Sequence, residues 1–147
     1  MRIAVIGSGV SGIAAAKTMM GFGHEVVVYE KSGRIGGVWA PAYPVVTLQN
    51  IAEHYRLTDF SWPFKPLNHP TADEVRRYLG AAVAHFHIDI RLSHEVTSLR
   101  ETPDGWDVVV RSPADESIEH FGYALVATGQ YSGDKTAMEL PGRDDFK

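Results

Sequence analysis

Cysteine is absent from the 147 residues, which excludes a disulfide scaffold, a thiolate metal site and a cysteine nucleophile. Positive charge is also scarce. Fourteen Lys and Arg stand against 18 Asp and Glu, a formal net charge of -4. A nucleic-acid partner favours a basic face, so none is expected. Long apolar runs are missing too. The longest nearly uncharged stretch, Ile3 to Met20, is broken by Lys17 and rich in glycine and serine near its start, too polar to span a bilayer. It leads into a glycine motif rather than a cleavage site, so it does not read as a signal peptide. The expectation is a cytoplasmic protein with no membrane attachment. The histidines (His24, His54, His69, His85, His87, His94 and His120) follow no recognised metal-ligand spacing, and no metal is expected.

What is present reads as α/β, starting with a βαβ unit over residues 2–30. Arg2 to Ile6 is a short apolar run of the kind buried in a parallel sheet. Gly7-Ser8-Gly9-Val10-Ser11-Gly12 follows, then an alanine-rich helix from Ile13 to Met20, stopped by Gly21 and Gly23. Glu25 to Tyr29 is a second strand. Residues 31–70 lose all periodicity, yet hold Trp39, Tyr43, Tyr55, Phe60, Trp62 and Phe64. Disordered segments are usually poor in aromatics, so an ordered, ligand-lined segment is expected. Residues 71–86 form a helix opened by a Thr71/Glu74 capping box, with an apolar stripe at Val75, Tyr78, Leu79, Ala82, Val83 and Phe86. Ile88 to Leu92 reads as a third parallel strand. A small antiparallel meander is expected over 95–121, with Thr102-Pro103-Asp104-Gly105 as its first turn, and a closing strand over 123–127.

The Gly7-x-Gly9-x-x-Gly12 pattern is weak alone, but here it lies between a strand and a helix, the context its chemistry requires. Gly7 allows the tight turn, Gly9 the close approach of a pyrophosphate, and Gly12 the packing of helix on sheet. The helix amino end then offers N–H groups and a positive dipole end to phosphate. Glu30 lies 18 residues after Gly12, at the end of the second strand, where a carboxylate can accept from ribose hydroxyls. Its charge disfavours a ribose 2′-phosphate. A nicotinamide dinucleotide and FAD both fit thus far. The second glycine cluster, Gly33-Arg34-Ile35-Gly36-Gly37 after Lys31, favours the longer FAD, with Arg34 as a cation close to the phosphates.

Glu30-x-x-x-Arg34-x-Gly36-Gly37 resembles the second FAD signature shared by amine oxidases and flavin monooxygenases. Gly36-Gly37-Val38-Trp39 is more particular and resembles the Gly-Gly-x-Trp of flavin-containing and Baeyer–Villiger monooxygenases. Leu48-Gln49-Asn50, the run from Tyr55 to Pro63, His69-Pro70-Thr71 and Val126-Ala127-Thr128-Gly129-Gln130-Tyr131 occur in that family's order, and Pro141-Gly142 with Phe146 matches its next motif. The resemblance implies a Rossmann-like parallel sheet of the two-dinucleotide-binding-domain flavoprotein type, with residues 1–147 as the N-terminal part of the FAD-binding domain. Gly7, Ser8, Gly9 and Gly12 would hold the pyrophosphate and Glu30 the ribose. Gly37 and Trp39 would lie along the pyrophosphate–ribityl side, Val96 against the adenine, and Ala127, Thr128 and Gly129 on the neighbouring strand, with Lys31, Arg34 and Val38 also among the cofactor-binding residues. Asn50 or Gln49 would stand near the reactive flavin carbon, although the family's Ser-Lys is replaced by Ala52-Glu53.

The reaction implied is oxygenation of a small sulfur or nitrogen nucleophile, or a ketone, through a C4a-hydroperoxyflavin, with NADPH and dioxygen. No second glycine fingerprint follows residue 129, so a truncated chain is expected, inactive alone and prone to self-association through open sheet edges. A flavin amine oxidase and a non-catalytic FAD-binding module are the alternatives.

Overall fold

Near-continuous burial along the first two strands determines the architecture. The computed structural model describes residues 1–43, 45–130 and 142; Tyr131, Pro141 and Phe146 of the motifs above lie outside the described residues. Strand β1 (Arg2–Ile6) pairs in parallel with β2 (Glu25–Glu30), and helix α1 (Val10–Gly21) makes the crossover between them. Helix α2 (Ala72–Phe86) leads into β3 (Asp89–Leu92), parallel to β2, and β7 (Tyr123–Val126) pairs in parallel with β1. The sheet order is β3-β2-β1-β7. A separate antiparallel sheet, β4 (Glu95–Thr102), β5 (Gly105–Arg111) and β6 (Glu116–Phe121), forms the meander.

Successive strand residues point to opposite faces, so the apolar run of each central strand feeds two cores. Ile3, Val5, Val26 and Val28 pack with Ile13, Val75, Tyr78 and Leu79 on the helix side. Ala4, Val27 and Tyr29 pack with Val108, Val110 and Phe121 on the meander side. Each fully buried Val or Ile contributes roughly 1.5–3 kcal/mol. The layers are therefore helices, parallel sheet and meander. One carboxylate ties the two sheets together: Glu119 on β6 accepts from Arg2 at 2.9 Å, from Tyr29 at 2.8 Å and from Arg91 at 2.6 Å.

One expectation needs correction. Helix α1 starts at Val10 rather than Ile13, because the Gly9 carbonyl already accepts from the Ile13 N–H at 3.0 Å. The helix begins inside the glycine motif. The later part of the irregular segment after β2 is ordered by docking onto α2. The buried Tyr78 hydroxyl accepts from the Leu57 N–H at 2.7 Å and donates to the Phe60 carbonyl at 2.9 Å. Phe60 and Trp62 pack on the Tyr78 ring, Phe64 lies against Trp62, and Arg77 sits over Phe64. Backbone bonds from Leu48 to Pro70 and from Ala52 to Asn68 close the segment near the start of α2. There Thr71 and Glu74 form the full capping box. Among the described residues no helix is long and apolar enough to cross a membrane, and no group of three or more His, Asp or Glu could hold a metal ion.

Candidate cofactor cleft

Two glycine turns packed backbone to backbone build the floor of a cleft of about 410 Å³. The first turn joins β1 to α1. At Gly7, with φ +106°, an added Cβ would lie 2.4 Å from the Ala127 carbonyl oxygen. At Gly12 it would lie 1.9 Å from the Gly7 carbonyl oxygen. Neither position has room for a methyl group, and Gly12 thereby sets how closely α1 approaches the sheet. The second turn follows β2. Its Gly36 N–H donates to the Ser8 carbonyl at 3.1 Å, and a Cβ on Gly37 (φ +56°) would come within 2.9 Å of the Gly9 Cα.

The cleft gathers its lining from four segments. The first turn gives Gly7, Ser8 and Gly9; the end of β2 gives Glu30 and Lys31; the second turn gives Arg34, Gly37, Val38 and Trp39; the chain after β7 gives Ala127, Thr128 and Gly129. Gly12 lies beneath, against the turn rather than on its surface. Val96 lines a smaller recess of about 280 Å³ that shares Gly7, Glu30, Lys31 and Thr128 with the cleft. Gln49 and Asn50 are exposed on a bend and line neither recess.

Charge is arranged along this cleft. No side-chain cap covers the N-cap Gly9 of α1, and the helix's positive amino end lies at the cleft, which Gly9, Val10 and Ser11 line. Lys31 and Arg34 are exposed cations on the lining. Glu30 is only 8% exposed. Burial pushes its carboxyl up, but the Ser32 and Ser8 donors outweigh burial and hold it below its ordinary value. Trp39 is fixed from behind: its Nε1–H donates to the Tyr55 hydroxyl at 3.0 Å, with the rings edge to face. Burial pushes the Tyr55 hydroxyl up, so it stays protonated at neutral pH.

Sequence reasoning missed several members of the lining. Val10, Ser11, Ser32, Gly36, Ala40 and Pro41 also reach the cleft. Val10, Ser11, Ser32 and Gly36 carried a signal, since each lies inside a singled-out motif. Ala40 and Pro41 carried none, because a chain with no period reveals nothing about its direction.

A parallel sheet with a glycine-floored first turn and a buried carboxylate ending its second strand defines an α/β protein of the dinucleotide-binding class. The flavin-binding monooxygenase-like family model matches residues 1–147, and the chain belongs to that family. The chain is 36% identical over 150 residues to a 4-hydroxybenzoate brominase (decarboxylating) from Marinomonas mediterranea, covering 99% of this chain and 29% of that protein. It is 33% identical over 178 residues to flavin-containing monooxygenase FMO GS-OX-like 7 of Arabidopsis thaliana, covering 99% of this chain and 38% of that protein. A solved structure of OTEMO in complex with FAD and NADP superposes with a TM-score of 0.79 at 24% identity, over 100% of this chain and 29% of that one, a likeness of fold. The chain thus spans well under half the length of these curated relatives.

Proposed function

We propose that this chain holds FAD in the cleft, as the cofactor-binding part of an NADPH-dependent flavin monooxygenase. The observation that carries the reading is the pairing of two methyl-free turns with a carboxylate held ionised at the end of β2. The residues fit the group. Backbone without Cβ atoms at Gly7, Gly9 and Gly37 permits close approach of a diphosphate, while the amino end of α1, Lys31 and Arg34 supply positive charge. Glu30 accepts a hydrogen bond from the ribose. Val96 offers backbone to the adenine in the smaller recess, and the Trp39 indole, its N–H engaged by Tyr55, walls the cleft with an apolar ring.

The chemistry supplied by bound flavin is oxygen transfer from a C4a-hydroperoxyflavin, formed with NADPH and dioxygen, to a small sulfur or nitrogen nucleophile or a ketone; this activity belongs to the whole protein. Gln49 and Asn50, on their exposed bend, belong to the same reading as residues facing that chemistry. So does self-association through the edge of β7, where Tyr123 and Val126 are exposed. Light scattering of the 147-residue chain would then show a mass that rises with concentration.

Titration of the 147-residue chain with FAD tests the reading. Saturable quenching of flavin fluorescence is expected. Gly9→Glu should abolish it while the fold persists, because a Cβ at Gly9 meets nothing closer than 3.5 Å and the added carboxylate would stand in the cleft. No uptake by the wild-type chain would overturn the assignment.

A further inference from the structure

The carboxylate that would hold the ribose is already largely engaged by the protein. Glu30 Oε2 accepts from the Ser8 backbone N–H at 2.9 Å and from the Ser8 hydroxyl at 2.8 Å. Glu30 Oε1 accepts from the Ser32 N–H at 2.9 Å. An ionised carboxylate offers about four acceptor positions. Among the described residues these three donors fill both positions on Oε2 and one on Oε1, so a single position remains, on Oε1.

The Ser8 hydroxyl is poorly placed to turn elsewhere. Ser8 is 0% exposed, so water does not compete for its proton, and its backbone N–H holds the same oxygen. The Ser32 hydroxyl gives its one proton to the Arg34 carbonyl at 2.7 Å. It therefore leaves the last position on Oε1 open. An adenosine ribose brings two neighbouring hydroxyls, each able to donate. The acceptor and donor counts do not match.

We propose that Ser8 is a specificity-determining residue: with its N–H and its hydroxyl both on Oε2, it leaves Glu30 one acceptor, so the protein reads one ribose hydroxyl through Glu30 and ignores the other. The inference rests on the cofactor reading above and adds to it a prediction about which ligand atoms matter. A glycine or alanine at position 8 would keep the backbone donor and lose the hydroxyl. Oε2 would then have a position open, and the carboxylate could take both ribose hydroxyls.

The test compares ADP, 2′-deoxy-ADP and 3′-deoxy-ADP as competitors of FAD on the 147-residue chain, and repeats the set on Ser8→Ala. In the wild-type chain one deoxy analogue should match ADP within about twofold and the other should bind about tenfold more weakly or worse, the range of a hydrogen bond to a charged group. In Ser8→Ala the tolerated analogue should also lose about tenfold relative to ADP. Equal weakening of both analogues in the wild-type chain, or no weakening of either, overturns the proposal. The wild-type comparison alone decides should Ser8→Ala not fold. Failure of the chain to bind either FAD or ADP would instead sink the cofactor reading, and this inference with it.

Discussion

Around Gly7, Gly12 and Gly37 the backbone is packed so closely that a methyl group has no room, whereas between Val45 and Pro70 irregular backbone is held by side chains reaching it from α2. The first region reaches into the opening turn of α1 and the second is largely irregular, yet both are ordered. In the first, carbonyl and Cα atoms of one turn rest on those of another, and the order comes from what is missing. In the second, one tyrosine hydroxyl satisfies a buried N–H and a buried carbonyl eighteen or more residues away. A backbone-packed site tolerates almost no substitution but keeps its surface open to a ligand. A side-chain-docked loop tolerates more, and its polar groups are consumed internally.

Substitutions can break this contrast in order of severity. Gly12→Ala should have the largest effect, since its Cβ would sit 1.9 Å from the Gly7 carbonyl oxygen and backbone must move to admit it. A loss of at least about 3 kcal/mol in urea denaturation is expected, together with loss of FAD binding. Tyr78→Phe comes next. It leaves the Leu57 N–H and the Phe60 carbonyl without their partner, which costs about 1–3 kcal/mol, yet the cleft should still bind FAD with its normal affinity. If FAD affinity fell in proportion to stability, the two regions would not be separable.

Thr71→Ala removes the hydroxyl that accepts from the Glu74 N–H and should cost about 1 kcal/mol, read as a lower Tm. Glu30→Gln is read by its pH dependence: its cost is full at neutral pH and shrinks on the acid side. Because the folded carboxyl titrates below its ordinary value of 4.5, its contribution is complete above that value and is lost as pH falls through the lower, folded one. Wild-type stability should therefore drop in that window more steeply than that of Glu30→Gln. Identical acid limbs would count against a carboxylate held by Ser8 and Ser32.

Much of this was legible from residue order alone. The strand, turn and helix around Gly7 to Gly12 announce themselves because spacing and context agree, and the Thr71/Glu74 box and the Pro103-Asp104 hairpin turn are local devices. The family resemblance also rested on motifs that residues 1–147 carry in order. What could not be read is tertiary. The run Val26-Val27-Val28-Tyr29 shows that both faces of β2 are covered, but not that one cover is a meander. Tyr78 reads as apolar packing because its place on the helical stripe says nothing of its hydroxyl. The engagement of Glu30 by Ser8 joins residues 22 apart, and no periodicity reports on it.

Glu119 carries a mechanical consequence. One carboxylate is gripped by Arg2 on β1, Tyr29 on β2 and Arg91 on β3, so three neighbouring strands share a single anchor on the small sheet. Shear between the layers along any one strand would strain all three bonds together. The small sheet, and with it the Val96 wall of the recess, travels as a rigid passenger of the large one.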